Sequence, residues 1–325
     1  MEKLLLGKSG ICVSRLCFGS LTIGPLQASL TTDDGSNVIA HALDCGINFI
    51  DTAQYYNNYE YIRLALLKTQ KYNTVISSKT YAYNRKTAAV AIEEARNAID
   101  RDYIDIFMLH EQESIYTLRG HCEAIDYLFE MKERDIIRAV GVSMHHIAAV
   151  NGVCDTFYTY PFDVIHPLFN MTGLGIADGD IGGMTSALCR AKTMGIGIFT
   201  MKALGGGHLF TDAGTAFDFV LDSVDNNNQP LTDSVAVGMQ SLDEVDANIE
   251  YFSKRSFSTE AEERLRIKQR RLHIESYCTG CGKCAERCGQ KAISVINGRA
   301  VCDDSICVLC GYCSAVCPLF AIKVL

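Results

Sequence analysis

The sequence predicts an α/β protein: a closed barrel of eight parallel strands with helices between them, followed by a small cysteine-rich α+β domain. Three observations carry this. Short apolar runs alternate with helical stretches across residues 16–248, and regular strand–helix alternation of that length closes a barrel. Several of the apolar runs end abruptly in a polar residue: Asp51, Lys79, His110 and Ser143 stand at four successive strand ends. Beyond residue 273, two blocks of four cysteines repeat at a fixed offset.

Taken in order, residues 1–15, with Gly7 and Gly10 at a turn, read as a hairpin. Leu16-Cys17-Phe18-Gly19 is the first short strand. Val38, Ala42 and Cys45 lie at helical spacing before Gly46, a C-terminal stop. Strand 47–51 is apolar and β-prone through Ile50, then turns to Asp51, Thr52, Tyr55 and Tyr56. Taken alone, Asp51-Thr52 also suits a helix cap. Helix 59–69, strand 74–79, helix 86–100, strand 104–109, helix 120–134 and strand 138–143 follow. Helix 145–152, strand 163–166, helix 183–194, strand 196–201, helix 213–225 and strand 234–237 complete the alternation. A doubly wound open sheet is the competing arrangement, and no glycine-rich fingerprint follows the first strand to favour it. Residues 259–273 are dense in Glu, Arg and Lys and read as an exposed linking helix. The expected organisation is therefore a barrel over 1–257, a linking helix over 258–273 and a second domain over 274–325.

The 325 residues exceed the usual size of one core, and 48% apolar against 21% charged residues is an ordinary globular balance. A net charge of −8 argues against a nucleic-acid footprint. No apolar run approaches the ~20 residues of a membrane span, and residues 1–16 lack a signal-peptide core. The expected location is cytoplasmic. Fifteen cysteines there point to metal or redox chemistry rather than to disulfides.

From about residue 6 to 248 the chain resembles the aldo-keto reductase family. Asp51, Tyr56, Lys79 and His110 match that family's tetrad one by one, and Glu60 fits its Glu four residues after the Tyr. The resemblance implies a TIM (β/α)8 barrel plugged at the bottom by the N-terminal hairpin. It also implies reduction, or the reverse oxidation, of a small organic carbonyl. Tyr56 would be the general acid; a phenol with a pKa near ~10 is a reluctant donor and needs a cation beside it. Lys79 would supply that cation, Asp51 would hold Lys79, and His110 would orient the substrate oxygen. The blander roles are a structural Asp51–Lys79 pair and a core His110.

The same resemblance places cofactor contacts at Gly19, Ser20, Ser143, His166, Met201, Lys202, Leu204, Gly205, Gly206, Gly238 and Asn248. Several depart from the family pattern. Met144 replaces an Asn, His166 a Gln, and Met201 a stacking Tyr. The run Lys202-Ala203-Leu204-Gly205-Gly206-Gly207 suits close approach to a pyrophosphate. No Lys or Arg lies between Gly238 and Asn248, and Glu244 sits near the place of a basic or neutral residue. A 2′-phosphate clamp is therefore missing, which favours NAD over NADP.

Cys278, Cys281, Cys284 and Cys288 form C-x2-C-x2-C-x3-C, and Cys307, Cys310, Cys313 and Cys317 repeat it 29 residues on, the last followed by Pro318. Ala292-Ile293 recurs as Ala321-Ile322 at the same offset, and Asn297-Gly298 reads as a hairpin turn. The blocks resemble two-cluster bacterial ferredoxins, in which each fourth Cys serves the other cluster. That resemblance implies one [4Fe-4S] cluster on Cys278, Cys281, Cys284 and Cys317 and another on Cys307, Cys310, Cys313 and Cys288. Zinc is the competitor, but zinc sites use separated pairs of ligands. Gly289 departs from the family's Pro. Cys302 and the six barrel cysteines read as small core residues.

Nicotinamide passes two electrons as hydride, whereas an iron–sulfur cluster passes one at a time. A flavin converts between the two modes and is the alternative cofactor. Three functions follow: a reductase whose clusters relay electrons to or from a redox partner such as a ferredoxin, a flavodoxin or another reductase; a plain NAD(P)H carbonyl reductase with docking clusters; and a non-enzymatic regulatory barrel. The complete tetrad argues against the third.

Overall fold

The computed structural model describes residues 1–266, 271–319 and 321–324. The chain opens with the antiparallel hairpin of β1 (Lys3–Leu5) and β2 (Cys12–Ser14). Eight parallel strands then close a barrel: β3 (Leu16–Gly19), β4 (Phe49–Asp51), β5 (Val75–Thr80), β6 (Ile104–Gln112), β7 (Ile137–Met144), β8 (Val164–Pro167), β9 (Gly197–Met201) and β10 (Ser234–Gly238). The closing pair is β10 with β3. Leu6, Ile11 and Val13 of the hairpin pack with Cys17, Phe49, Val75, Ile106, Val164 and Phe199 inside the barrel, so the hairpin plugs the N-terminal ends of the strands. Each fully buried side chain of this plug contributes roughly 1.5–3 kcal/mol.

The helices lie outside: α1 (Thr32–Asp44), α2 (Tyr59–Thr69), α3 (Arg85–Ile99), α4 (Ile115–Gly120), α5 (Cys122–Glu133), α6 (Ile147–Asp155), α7 (Ile181–Thr193), α8 (Ala213–Asp222) and α9 (Leu242–Lys254). Start signals explain several of them: Asn84 and Thr87 form a capping box on α3, and Ser241 accepts from Glu244 N at the start of α9. The helix expected over 120–134 is α5, and a further short helix, α4, capped by Ser114, precedes it across His121.

The expected linking helix is shorter at its far end. Helix α10 spans Thr259–Arg266, and residues 267–270 lie outside the described residues. Leu272 and His273 belong to a strand, β11 (Leu272–Ile274), because Leu272 and Ile274 alternate with His273 and pair with the second domain's last strand. That domain continues with α11 (Lys283–Arg287), β12 (Ile293–Ile296), β13 (Arg299–Cys302), α12 (Tyr312–Ala315) and β14 (Ile322–Val324). Asn297 and Gly298, both at positive φ, turn β12 into β13. The duplication is visible in detail: Ala292 N donates to Cys288 Sγ and Ala321 N to Cys317 Sγ, at 3.3 and 3.2 Å.

The second domain caps the C-terminal mouth of the barrel. Gln27 Nε2 donates to Leu309 O at 2.9 Å, Gln290 Nε2 to Gly175 O at 3.4 Å, and His208 Nε2 to Cys307 O. Two glycines make the contact close. A Cβ on Gly206 would fall 2.2 Å from Val308 O, and one on Gly311 would fall 1.9 Å from Leu26 O, while both have positive φ. Among the described residues no helix is long and apolar enough to cross a membrane. The cysteines expected in the core divide: Cys17 and Cys154 are buried, whereas Cys12, Cys45 and Cys122 are exposed.

Candidate active site and cluster-binding domain

Strand ends position the tetrad. Asp51 closes β4, and a single 3-10 turn, Gln54–Tyr56, brings Tyr56 back over it. Asn58 staples that turn: Thr52 Oγ1 donates to Asn58 Oδ1 at 2.6 Å, and Asn58 Nδ2 donates to Ser20 O at 2.8 Å. Lys79 lies in β5 and His110 in β6, where a register shift between Leu109 and Gln112 and the positive φ of Glu111 bend the strand.

Lys79 Nζ donates to both oxygens of Asp51 at 2.7 Å and to Thr52 O at 2.8 Å. All three ammonium protons are thereby committed. Its charge reaches Tyr56 through the ring face, 5.0 Å from the centroid. Burial works against charge on Asp51, but Lys79 and then His166 hold its carboxyl below the usual carboxylate range. Burial lifts the Tyr56 phenol well above its ordinary value; Asp51 and Glu111 add to this, and a hydrogen bond with Tyr312 opposes it. Burial, with the Lys79 charge next, pushes His110 far down, so its imidazole is neutral at neutral pH. In this arrangement Lys79 spends its donors on Asp51 and Thr52 and meets Tyr56 at the ring face.

One cavity is lined by Gly19, Asp51, Tyr56 and His110 together with Met201, Lys202, Leu204, Gly206, Gly238, Glu244 and Asn248. Seven of the expected cofactor residues thus share one cavity with Asp51, Tyr56 and His110 of the tetrad: Gly19, Met201, Lys202, Leu204, Gly206, Gly238 and Asn248. His166 also lines it: Nδ1–H donates to Phe199 O at 2.7 Å, and Nε2 faces Asp51 Oδ2 at 3.6 Å. With Nδ1–H committed to Phe199, Nε2 carries a proton toward Asp51 only in the imidazolium form. Three expected contacts face elsewhere. Ser20 Oγ donates to Asp51 O, Ser143 Oγ accepts from Glu111 N, and Gly205 is buried beneath the loop. Glu60 is turned away on α2, paired with Arg63.

The roof of this cavity comes from the second domain: Val308, Leu309, Cys310 and Tyr312. Tyr312 is buried against Leu26, Ala53 and Tyr56, and its hydroxyl lies 3.5 Å from His110 Nε2. Arg287 stacks on the rings of Tyr312 and Tyr55, 4.5 and 5.2 Å from their centroids, and Tyr81 stacks on His110 while donating to Glu111. Val308, Leu309, Tyr312, Arg287 and Tyr81 were not singled out from the sequence. One signal was available: Tyr312 occupies the place that Lys283 holds in the first cysteine block, so the copies differ where one of them must be buried.

The eight thiols divide between two cavities. Cys278, Cys281, Cys284 and Cys317 line one, and Cys288, Cys307, Cys310 and Cys313 line the other, together with His110, Tyr81, Glu111 and Tyr312. Amide N–H groups point at the sulfurs of Cys278, Cys288 and Cys317, as suits thiolate ligands of a cluster.

A profile of the aldo/keto reductase family matches residues 15–228, and a profile of the 4Fe-4S binding domain matches residues 272–294. The chain belongs to the aldo/keto reductase family and is an oxidoreductase carrying a 4Fe-4S binding domain. Over 230 residues it is 23% identical to L-galactose dehydrogenase of Arabidopsis thaliana, covering 66% of this chain and 68% of that protein. It is 31% identical over 169 residues to NADH-specific methylglyoxal reductase of Escherichia coli (strain K12), covering 44% and 52%. The holo form of aldo-keto reductase AKR11C1 from Bacillus halodurans superposes with a TM-score of 0.64 over 82% of this chain and 96% of that one, at 19% identity. That likeness is one of fold.

Proposed function

We propose that the barrel interconverts a small carbonyl compound and its alcohol, with two iron–sulfur clusters passing electrons between the pocket and a redox partner. The observation that carries this reading is the cavity of Cys288, Cys307, Cys310 and Cys313, which shares its wall with His110 of the tetrad. Reduction of a carbonyl takes two electrons and two protons: a bound dihydronicotinamide would supply both electrons with the carbon-bound hydrogen as hydride, whereas two clusters would supply one electron each and the carbon-bound hydrogen would come as a proton from solvent. Tyr56 holds the proton for the developing alkoxide, His110 offers a neutral Nε2–H to the same oxygen, and Asp51 with Lys79 fixes the field around them. Lys202 and the loop to Gly206 would hold a pyrophosphate, and Gly238 and Asn248 the adenosine. Among the described residues Lys202 is the only Lys or Arg lining that cavity, and Glu244, which also lines it, opposes a 2′-phosphate. NADH is the expected nicotinamide, in keeping with the name of the Escherichia coli relative.

Anaerobically isolated protein is expected to contain about eight iron and eight sulfide per chain; firmly bound zinc without iron overturns the cluster assignment. The relay is tested by reducing the protein with dithionite, adding methylglyoxal and following the visible absorbance. The clusters are expected to reoxidise, and Tyr56→Phe to slow this by ~10²-fold or more. Clusters that stay reduced while NADH-driven turnover proceeds normally would leave a plain reductase with docking clusters. The spectrum of released cofactor separates nicotinamide from flavin.

A further inference from the structure

A carbonyl reduced by this tetrad must place its oxygen where it can accept from both the Tyr56 hydroxyl and His110 Nε2. A hydroxyl of the chain itself stands there. The Tyr312 hydroxyl lies 3.5 Å from His110 Nε2, and its side chain packs with Tyr56 in one buried cluster. The phenol therefore stands against His110 and beside Tyr56, the two groups that a substrate oxygen would meet.

It is also held there. The Tyr312 ring packs against the Arg287 guanidinium, 4.5 Å from its centroid, and against Tyr55, whose centroid is 5.1 Å away. Gly311 before it is pressed on the backbone of Leu26, and Cys310 and Cys313 flank it within one C-x2-C. A side chain confined on three sides leaves its position only when its domain shifts or the ring is forced out. The equivalent residue of the first block, Lys283, is exposed, so the cysteine framework does not itself require a buried phenol at this position.

We propose that Tyr312 fills the oxygen subsite of the tetrad in the resting protein, so that the cluster domain governs access to Tyr56 and His110. The proposal rests on the tetrad reading above. Its consequence is a raised KM: a substrate binds only to the fraction of molecules in which the phenol has left. Once bound, it meets an unchanged tetrad, so kcat moves less than KM.

The test uses the anaerobic holoprotein, with cluster retention checked by visible absorbance. Tyr312→Ala is expected to lower KM for methylglyoxal by about tenfold and to change kcat by less than about threefold. Tyr312→Phe keeps the ring and its stacking but removes the hydroxyl, and is expected to lower KM by about threefold. An independent readout is carbethoxylation of His110 by diethyl pyrocarbonate, mapped by peptide mass, with buried His166 as internal reference. His110 should react about tenfold faster in Tyr312→Ala and about threefold faster in Tyr312→Phe. These rates decide the proposal even if the protein reduces no carbonyl, an outcome that would count against the proposed function alone. If Tyr312→Ala fails to keep its clusters, the Phe variant carries the test. Unchanged His110 reactivity together with an unchanged or higher KM in cluster-retaining variants overturns the proposal.

Discussion

Tyr56→Phe is expected to lower turnover on a carbonyl such as methylglyoxal by about 10²–10⁴-fold while the barrel and its clusters persist. The substitution removes one oxygen and keeps a ring packed on Leu26, Ala53, Tyr312 and the edge of His110. No fold-defining hydrogen bond is lost; only the contact with Tyr312 goes. The pH dependence carries the same assignment. Burial raises the Tyr56 phenol, so the acid form persists as pH rises past the ordinary phenol range. Burial lowers His110, so it does not begin to gain a proton near the ordinary histidine value as pH falls. Turnover should therefore be flat between about pH 6 and 9, without a histidine limb. Equal rates for wild type and Tyr56→Phe, or a limb near pH ~6.5 that disappears with His110→Gln, would move the proton donor elsewhere.

Lys79→Met is expected to be the most damaging conservative change in stability. Lys79 and Asp51 are 1% and 4% exposed and joined by two 2.7 Å hydrogen bonds. Removing the ammonium strands a buried carboxylate, which costs about 3–5 kcal/mol when a buried pair is broken. The double variant Asp51→Asn/Lys79→Met removes both charges and should recover most of the loss. The sign with pH follows from the carboxyl. In the wild type its pKa is depressed, so its contribution is present above the ordinary carboxylate value and lost as pH falls through the folded value. In Lys79→Met the lone buried carboxyl is raised instead, so the defect should grow as pH rises and shrink in acid. Urea midpoints of cluster-loaded proteins at several pH values check this. A single variant as stable as the double at pH ~8 would mean that His166, 3.6 Å from Asp51, takes up the missing proton. Asp51, Lys79 and the phenol above them then belong to one coupled charge system: the variant that loses stability also loses the field over Tyr56.

Much of this was legible in the sequence. Leu16–Gly19, the run to Asp51 and their successors are short apolar strands set off by glycines, and such runs report burial directly through their side-chain period. Asp51, Lys79 and His110 stood out because a charged or titratable residue ending a buried run needs a partner, and strand ends of a parallel barrel converge. The cysteine blocks were equally plain, since ligand spacing within a few residues is set by local chain geometry. The place of Ser20 and Ser143 in the chain did not tell that their hydroxyls turn into neighbouring backbone, nor did that of Gly205 tell that it is buried in its loop. Only the tertiary structure decided that His166 faces Asp51, that Glu60 pairs with Arg63 and that Leu272 and His273 join a strand. It alone brought Gln27, Gly206 and Leu26 against Val308, Leu309 and Gly311, and set Tyr312 beside His110, 202 residues away. Element type and ligand spacing follow from neighbours along the chain. Docking depends on two surfaces whose complementarity, such as a bare Gly206 beneath Val308, has no signature in either stretch alone.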